Sequence, residues 1–234
     1  MKKRRASGGG RGQGKLLFKP ARKRKGKKLG RKKSPSSGPS HQAREAFDPR
    51  HPVHVTVKVL EGLPSLRWGR EYGAIVTAMR EGCTRPGRLV DGVFRLVHFS
   101  VQGNHMHWIV EAGDRESLAR GVAGLCVRIA KALNRLWGRK GKVFAQRYHA
   151  HVLKTPSEVR NTLAYLFRNA EKHGRKVPPG WMDPCTSARW FDFDDCPGST
   201  LEARPVALAM TWLLQEGWRR AGPLRLAPPQ PARG

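Results

Sequence analysis

The segment from Phe94 to Val110 reads Phe-Arg-Leu-Val-His-Phe-Ser-Val-Gln-Gly-Asn-His-Met-His-Trp-Ile-Val, and it indicates how the chain folds. It predicts two strands, Phe94–Val101 and His105–Glu111, joined by Gln-Gly-Asn, a turn that is typical of a hairpin. Side chains two residues apart in a strand point to the same face, so His105 and His107 lie together. Two neighbouring imidazoles can offer two nitrogen ligands to one metal ion, or they can be ordinary strand histidines that hydrogen-bond to neighbours.

Hydrophobic periodicity and turn residues predict the elements on either side of this hairpin. They are a strand over Val53–Leu60, a helix over Leu66–Cys83, a helix from its cap Asp114 to Trp137, a strand over Val143–Leu153, and a helix from Thr155 to Gly174. The order β-α-β-β-α-β followed by α predicts an α+β fold, a ferredoxin-like sandwich whose central strand carries His105 and His107. Residues 51–175 form this predicted domain.

Residues 176–234 form a C-terminal extension that is rich in proline, aspartate and tryptophan. Periodicity predicts one amphipathic helix in it, around Val206–Arg220. Four aromatic side chains of the extension are expected to pack on the domain rather than to stack on single-stranded bases: Trp181, Trp190, Phe191 and Phe193.

The charge of the chain narrows the class of partner. The chain has 234 residues and a formal net charge of +29, which predicts that it binds a polyanion, with nucleic acid favoured. No apolar run approaches the ~20 residues that span a bilayer, and no secretory signal is seen, so no membrane partner is expected. Four cysteines without a CxxC pair exclude a disulfide framework and a cysteine zinc site. We expect a cytoplasmic, nucleoid-associated protein.

Much of the positive charge lies in the first 44 residues, which carry 17 lysine and arginine side chains and no carboxylate. A segment with so little apolar surface cannot offset its ordering entropy, so residues 1–50 are predicted to form a disordered basic arm. The arm is expected to gather phosphates by counterion release, although a solubilising remnant or a nuclear localisation signal would have the same composition. The cations favoured for this contact are Lys2, Lys3, Arg4, Arg5, Arg22, Lys23, Arg24 and Lys25.

Two polar residues of the last predicted helix depart from its apolar stripe. Val159, Leu163 and Leu166 form the stripe, and Tyr165 falls roughly 140° from its centre at 100° per residue. Asn169 falls about 100° from the same centre, one turn after Tyr165. A helical tyrosine usually belongs to a core, but this geometry places a phenol and a carboxamide on one polar edge. That edge faces either solvent or the histidine face of the sheet.

These residues together resemble a known family. Asn104-His-Met-His107 on a strand, followed by Tyr165-Leu-Phe-Arg-Asn169 on a late helix, is similar to the HUH-type single-tyrosine transposases. In particular, it resembles the REP-associated tyrosine transposases and their insertion-sequence relatives, and Val143–Leu153 is similar to the last strand of that family. The resemblance covers residues 52–174. Two departures are Ala170, where a proline often follows the asparagine, and Val-Gln-Gly in place of an apolar-Met-Pro sequence.

The resemblance implies a metal-dependent, single-strand DNA endonuclease and strand transferase. His105, His107 and the amide oxygen of Asn169 would hold Mg²⁺ or Mn²⁺, and Tyr165 would attack the scissile phosphate to give a 5′-phosphotyrosine intermediate. The implied partner is single-stranded or hairpin DNA, bound by a monomer or a homodimer. Two other interpretations stay open: a non-catalytic, domesticated DNA- or RNA-binding protein on the same fold, and a metal-binding regulator without cleavage.

The sequence also contains a second His-x-His pair, His149 and His151, on the predicted last strand. Tyr148 beside it is another candidate nucleophile, but the pair has no asparagine four residues after a helical tyrosine. DNA contact or a structural role is expected for it instead. A cluster of cations before and around this strand predicts either a backbone-binding groove or a solvated face: Arg128, Lys131, Arg135, Arg139, Lys140, Lys142 and Arg147.

Deletion of residues 1–44 tests the basic arm. The plot of log affinity for a single-stranded oligonucleotide against log salt concentration should become much shallower, because each neutralised phosphate contributes about 0.7 to its slope. Fluorescence anisotropy titrations over a series of salt concentrations measure this slope. Nicking of a matched hairpin should survive the deletion at low salt, and an unchanged slope would mean that the folded body does the binding.

Overall fold

The structure is a computed structural model that describes residues 48–84, 94–169, 177–178, 180–195 and 203–225. The predicted basic arm lies outside these ranges except for residues 48–50, and so do Ala170 and the predicted helix end at Gly174. In the described part of the chain, no helix is long and apolar enough to cross a membrane. Cys126 and Cys185 form no disulfide there.

One antiparallel sheet of four strands organises the described residues. In chain order the elements are β1 (Val53–Lys58), α1 (Gly69–Thr84), β2 (Phe94–Val101), β3 (His105–Ala112), α2 (Arg115–Leu136), β4 (His149–Val152) and α3 (Pro156–Phe167). The strand order is β2-β3-β1-β4, and each neighbouring pair is antiparallel. This topology confirms the predicted ferredoxin-like α+β sandwich, with the His105 strand in the interior of the sheet.

The sheet separates two hydrophobic cores, because the side chains of each strand alternate between its faces. On one face, Val55, Met106 and Trp108 belong to a core that also contains the apolar stripes of α1 and α2. On the other face, Ile109 and Val97 pack with α3 and with the C-terminal extension. Both faces of β2 and β3 are therefore covered, which explains why nearly every residue of these strands is buried.

The two long helices that follow the hairpin begin where their capping residues predict. The carboxylate of Asp114 accepts a hydrogen bond from the backbone N–H of Ser117 at 2.7 Å, and α2 starts at the next residue. Thr155 and Glu158 form a capping box at α3, in which each side chain accepts from the other residue's backbone N–H. The start of α3 fixes which of its side chains face the sheet.

Two element bounds were predicted wrongly. Helix α1 begins at Gly69 rather than Leu66, and the backbone N–H of Leu66 donates to the carbonyl of Gly103. The last strand covers only His149–Val152 rather than Val143–Leu153. The residues before it meet the end of β1 through a single bridge, and Lys142 Nζ bonds the carbonyl of Ala145 within this irregular segment.

The helix predicted over Val206–Arg220 is also wrong in extent. The chain forms a single turn, α4 (Trp212–Gln215), followed by a 3₁₀ turn at Gly217–Ala221. The preceding residues are held against the sheet, because the N–H groups of Met210 and Thr211 donate to the carboxylate of Glu111. This buried carboxylate also pairs with Arg95 at 2.9 Å. A tertiary contact therefore replaces the hydrogen bonds of the expected helix.

Three of the four aromatic side chains predicted to pack on the domain do so, namely Trp190, Phe191 and Phe193. Phe191 and Phe193 are buried with Trp218 in the core under α3, with the Phe191 and Phe193 ring centroids 4.9 Å apart. Trp190 packs against the other core. These rings extend the hydrophobic contact that holds α3 against the sheet.

The close approach of α2 to β2 gives a test of the packing. Gly121 faces the ring of Phe94, and a methyl group at Gly121 would overlap that ring. Gly121→Ala should therefore lower the free energy of unfolding by about 1–3 kcal/mol, as overpacking does. Gly124→Ala is the matched control: its added methyl meets open space in the same helix and should raise stability by about 0.5–1 kcal/mol. Urea unfolding measures both, and a stability gain in both variants would contradict this packing.

Candidate active site

The candidate site lies where α3 packs against the sheet face that α1 and α2 do not cover. Tyr165 on α3 places its hydroxyl 3.3 Å from Nε2 of His107 on β3. The two rings meet edge to face, with centroids 5.0 Å apart and an interplanar angle of 81°. His107 is 5% exposed, so this contact is largely shielded from solvent. The polar edge of α3 that carries Tyr165 thus faces the histidines rather than solvent.

A third histidine, His54 on β1, joins the site and was missed by sequence reasoning. His54 Nε2 lies 3.2 Å from Nδ1 of His107, and Thr56 Oγ1 lies 3.2 Å from the same nitrogen. The register explains the contact, since β1 pairs Thr56 with His107 in the sheet. The alternation of Val53–Lys58 placed His54 and Thr56 on its polar face, and that signal was available in the sequence.

Both ring nitrogens of His107 have a polar neighbour. Nδ1 faces His54 and Thr56, and Nε2 faces the hydroxyl of Tyr165. Burial lowers the pKa of His54 to about 4, with smaller effects from His151 and His149, so His54 is neutral near pH 7 and can accept a hydrogen bond. When His107 carries its proton on Nδ1, that N–H donates to His54 or Thr56. Nε2 then keeps a lone pair for a metal ion or for the Tyr165 hydroxyl.

His105 is fixed in a comparable way. Its ring centroid lies 4.8 Å from that of His107, and its Nδ1 lies 2.8 Å from Oδ1 of Asn104. Each histidine of the predicted pair therefore has one ring nitrogen beside a polar neighbour. Metal-binding histidines usually donate their second N–H to such a neighbour, which fixes the orientation of the ring.

Asn169, the third predicted ligand, lies beyond α3, which ends at Phe167 rather than continuing through it. The side chain is 1% exposed, and neither amide atom has a hydrogen-bond partner among the described residues. A buried carboxamide without partners is costly and suits a group that binds a ligand. No hydrogen bond joins Asn169 to His105 or His107 in the described structure. The sequence-predicted set is thus assembled in part: the histidines and Tyr165 are in contact, and Asn169 is buried without partners.

A divalent cation at the histidine pair would need an oxygen ligand such as this amide. Among the described residues, no group of three histidine, cysteine, aspartate or glutamate side chains could hold a metal ion. Two imidazoles and one amide oxygen fit Mn²⁺ or Mg²⁺, which keep open positions for water and phosphate. The donor types present, two imidazoles and one amide, are therefore ones that such a cation accepts.

The second histidine pair lies on the same face of the sheet as His107, whereas the neighbouring Tyr148 lies on the other face. His149 and His151 on β4 lie opposite Thr56 and His54 of β1, and both are exposed. Tyr148 packs against the core on the other side of the sheet, together with Ala150. The arrangement in which Tyr148 acts beside His149 and His151 is therefore not formed.

The predicted cationic cluster divides into three parts. Arg128, Lys131 and Arg135 line a groove of about 590 Å³ between α1 and α2, to which Arg70 contributes a fourth cation. Arg139 and Lys142 form hydrogen bonds within their own loop, in which Arg139 donates to the carbonyl of Lys142 and Lys142 donates to that of Ala145. Lys140 in the same loop is exposed. Arg147 lines a separate cavity beside β4. The groove thus brings three cations of the cluster together on one surface.

Comparison with known proteins gives likenesses of fold at low identity. No family model and no curated protein matches the chain. One similar solved structure is a REP-associated tyrosine transposase bound to a REP hairpin, with 20% identity, 64% of this chain and 82% of that chain covered, and a TM-score of 0.45. Another is a bacterial tRNA(His) guanylyltransferase-like protein in complex with GTP, at 13% identity, 56% and 72% coverage, and a TM-score of 0.36.

His98, on the same sheet face, gives a test of pH dependence. It is buried between the rings of Phe167 and Phe191, and burial, with a smaller effect of Arg204, lowers its pKa to about 3. The unfolded chain takes up this proton near pH 6.5, so the free energy of unfolding should fall as pH decreases from about 6.5, by at most ~1.4 kcal/mol per unit.

His98→Gln should flatten this loss of stability in urea unfolding between about pH 7 and pH 5. The matched control is His149→Gln, which changes an exposed histidine and should keep the wild-type slope. Equal slopes in the two variants would show that His98 is not the buried neutral group described.

Proposed function

We propose that this chain is a metal-dependent, single-strand DNA endonuclease and strand transferase with Tyr165 as its nucleophile. The observation that carries the proposal is the phenol hydroxyl 3.3 Å from His107, one of two adjacent imidazoles. A protein that only binds nucleic acid has no need of a phenol and an imidazole pair in contact. The sequence resemblance to the HUH-type single-tyrosine transposases supports the same chemistry.

The proposed reaction is a transfer of the phosphodiester from DNA to the protein. The Tyr165 oxygen forms a bond to phosphorus, and the bond between phosphorus and the 3′ oxygen breaks. Overall the phenolic proton passes to the leaving 3′ oxygen, which becomes a hydroxyl, and a 5′-phosphotyrosine remains. Because the covalent bond conserves the energy of the phosphodiester, a second 3′ hydroxyl can reverse the step and join strands without ATP.

His105, His107 and Asn169 are the residues that would hold the divalent cation. A bound cation supplies Lewis-acid polarisation of the phosphoryl oxygens. The chain's own contribution is orientation, in which His54 and Thr56 fix the ring of His107 and Asn104 fixes that of His105. The packing of α3 holds the phenol beside the same imidazole.

The charge of the chain supports DNA as the substrate. A net charge of +29 predicts strong, salt-dependent binding to phosphates. The groove between α1 and α2 is lined by Arg70, Arg128, Lys131 and Arg135, with Glu81 as its one carboxylate among the described lining residues. We propose that it contacts the backbone of a hairpin stem while a single strand reaches Tyr165.

A non-catalytic DNA- or RNA-binding protein on the same fold is the second candidate. The cationic groove favours it, because the groove lies on the helical layer of the sandwich, apart from the phenol and the histidines. Such a protein would bind nucleic acid through that surface and would form no covalent bond with it.

Covalent capture of DNA separates the two candidates. Purified protein is incubated with Mn²⁺ and labelled hairpins from the DNA that flanks its gene, and adducts are resolved on a denaturing gel. Tyr165→Phe should abolish the adduct and change the affinity for the hairpin less than about twofold, because only one hydroxyl is lost. Tyr148→Phe is the matched control and should form the adduct. An adduct that persists in Tyr165→Phe and is lost in Tyr148→Phe would overturn the assignment, and no adduct with wild-type protein would favour the binding protein.

A further inference from the structure

We propose that the cavity between β4 and the start of α2 binds one unpaired nucleotide of the strand that reaches Tyr165. The cavity has a volume of about 390 Å³, within the range of small-ligand sites in proteins. The choice of DNA as the ligand rests on the proposed function, but the cavity is separate from the contact between Tyr165 and His107.

The charge of the lining suits a phosphate. Arg115, Arg147 and Lys154 line the cavity, and all three are exposed. The carboxylate of Glu158 also lines it, but this group already accepts the backbone N–H groups of Lys154 and Thr155 at the cap of α3. Three cations against one engaged carboxylate leave a positive lining that can position a phosphodiester.

The rest of the lining suits a base. Leu118, Ala150 and Val152 supply an apolar wall, and Leu118 is 3% exposed. Tyr148 adds an aromatic side chain to the same wall. Bases stack on aromatic side chains with little dependence on sequence, because every base has a π face. A cavity with an apolar and aromatic wall beside cations matches the two parts of a nucleotide.

The position of the cavity connects it to the candidate active site. His151 lines the cavity and is the register partner of His54 across β1 and β4. His54 in turn contacts His107. Since neighbouring strands lie about 4.8 Å apart, the edge strand β4 is only about 10 Å from β3. A strand that crosses this edge can place one nucleotide in the cavity and its neighbours over the histidine face, and the nucleotide must be unpaired to enter.

Binding of two DNA ligands in EDTA tests the proposal without the cleavage chemistry. Full-length Tyr165→Phe protein is titrated by fluorescence anisotropy with a blunt hairpin and with the same hairpin carrying a short single-stranded tail. When Arg147→Ala is introduced into this Tyr165→Phe protein, binding of the tailed hairpin should weaken about tenfold and binding of the blunt hairpin less than twofold. The control Arg120→Ala removes a cation of α2 that pairs with Glu116 and does not line the cavity, and it should affect both ligands equally.

A photo-crosslink locates the nucleotide directly. Tails that carry 5-iodouracil at successive positions should crosslink to Tyr148 from one position, as identified by mass spectrometry of the peptides. Equal losses on both hairpins with Arg147→Ala, or crosslinks only outside the cavity, would overturn the proposal. Tighter, Arg147-dependent binding of the same tail made of RNA would overturn the assignment to DNA. Loss of the covalent adduct in wild-type protein would reject the proposed function alone, since tail binding is measured without catalysis.

Discussion

The candidate site depends on one hydrophobic contact, the packing of α3 onto the second face of the sheet. Leu163 and Leu166 of α3 pack with Ile109 of β3, and the aromatic rings of the extension complete this core. Tyr165 lies between those two leucines in sequence, so the contact that buries them also sets the phenol against His107. The free energy that positions the Tyr165 hydroxyl thus comes from apolar burial.

The same face must accommodate polar groups beside this core, and His107 and Glu111 each do so through specific partners. His107 is held between His54, Thr56 and Tyr165, while the carboxylate of Glu111 is bonded by Arg95 and by two backbone N–H groups of the extension. A buried polar group costs little only when its hydrogen bonds are made. Asn169 departs from this pattern, and a ligand that fills its bonding capacity would account for its burial.

The sequence predicted the parts of the fold and site that depend on local pattern. The hairpin, the caps of α2 and α3 and the shared face of His105 and His107 follow from alternation and capping residues. Contacts between distant residues set what it missed. His54 joins the site through the register of β1 with β3, and the interrupted C-terminal helix reflects the hydrogen bonds from Met210 and Thr211 to Glu111. Asn169 lies just beyond the end of α3 at Phe167, so its place relative to Tyr165 does not follow from the spacing of one continuous helix.

We propose that α3 and β3 together form one metal-binding site that carries the nucleophile. Crystals of the full chain soaked with Mn²⁺ and measured for anomalous scattering test this most directly, because the map locates the ion independently of any activity. We expect a peak bound by His105 and His107, with the amide oxygen of Asn169 as the third protein ligand and the Tyr165 hydroxyl beside it. A peak at His149 and His151, or an occupied site at His105 and His107 from which Tyr165 is turned away, would contradict it.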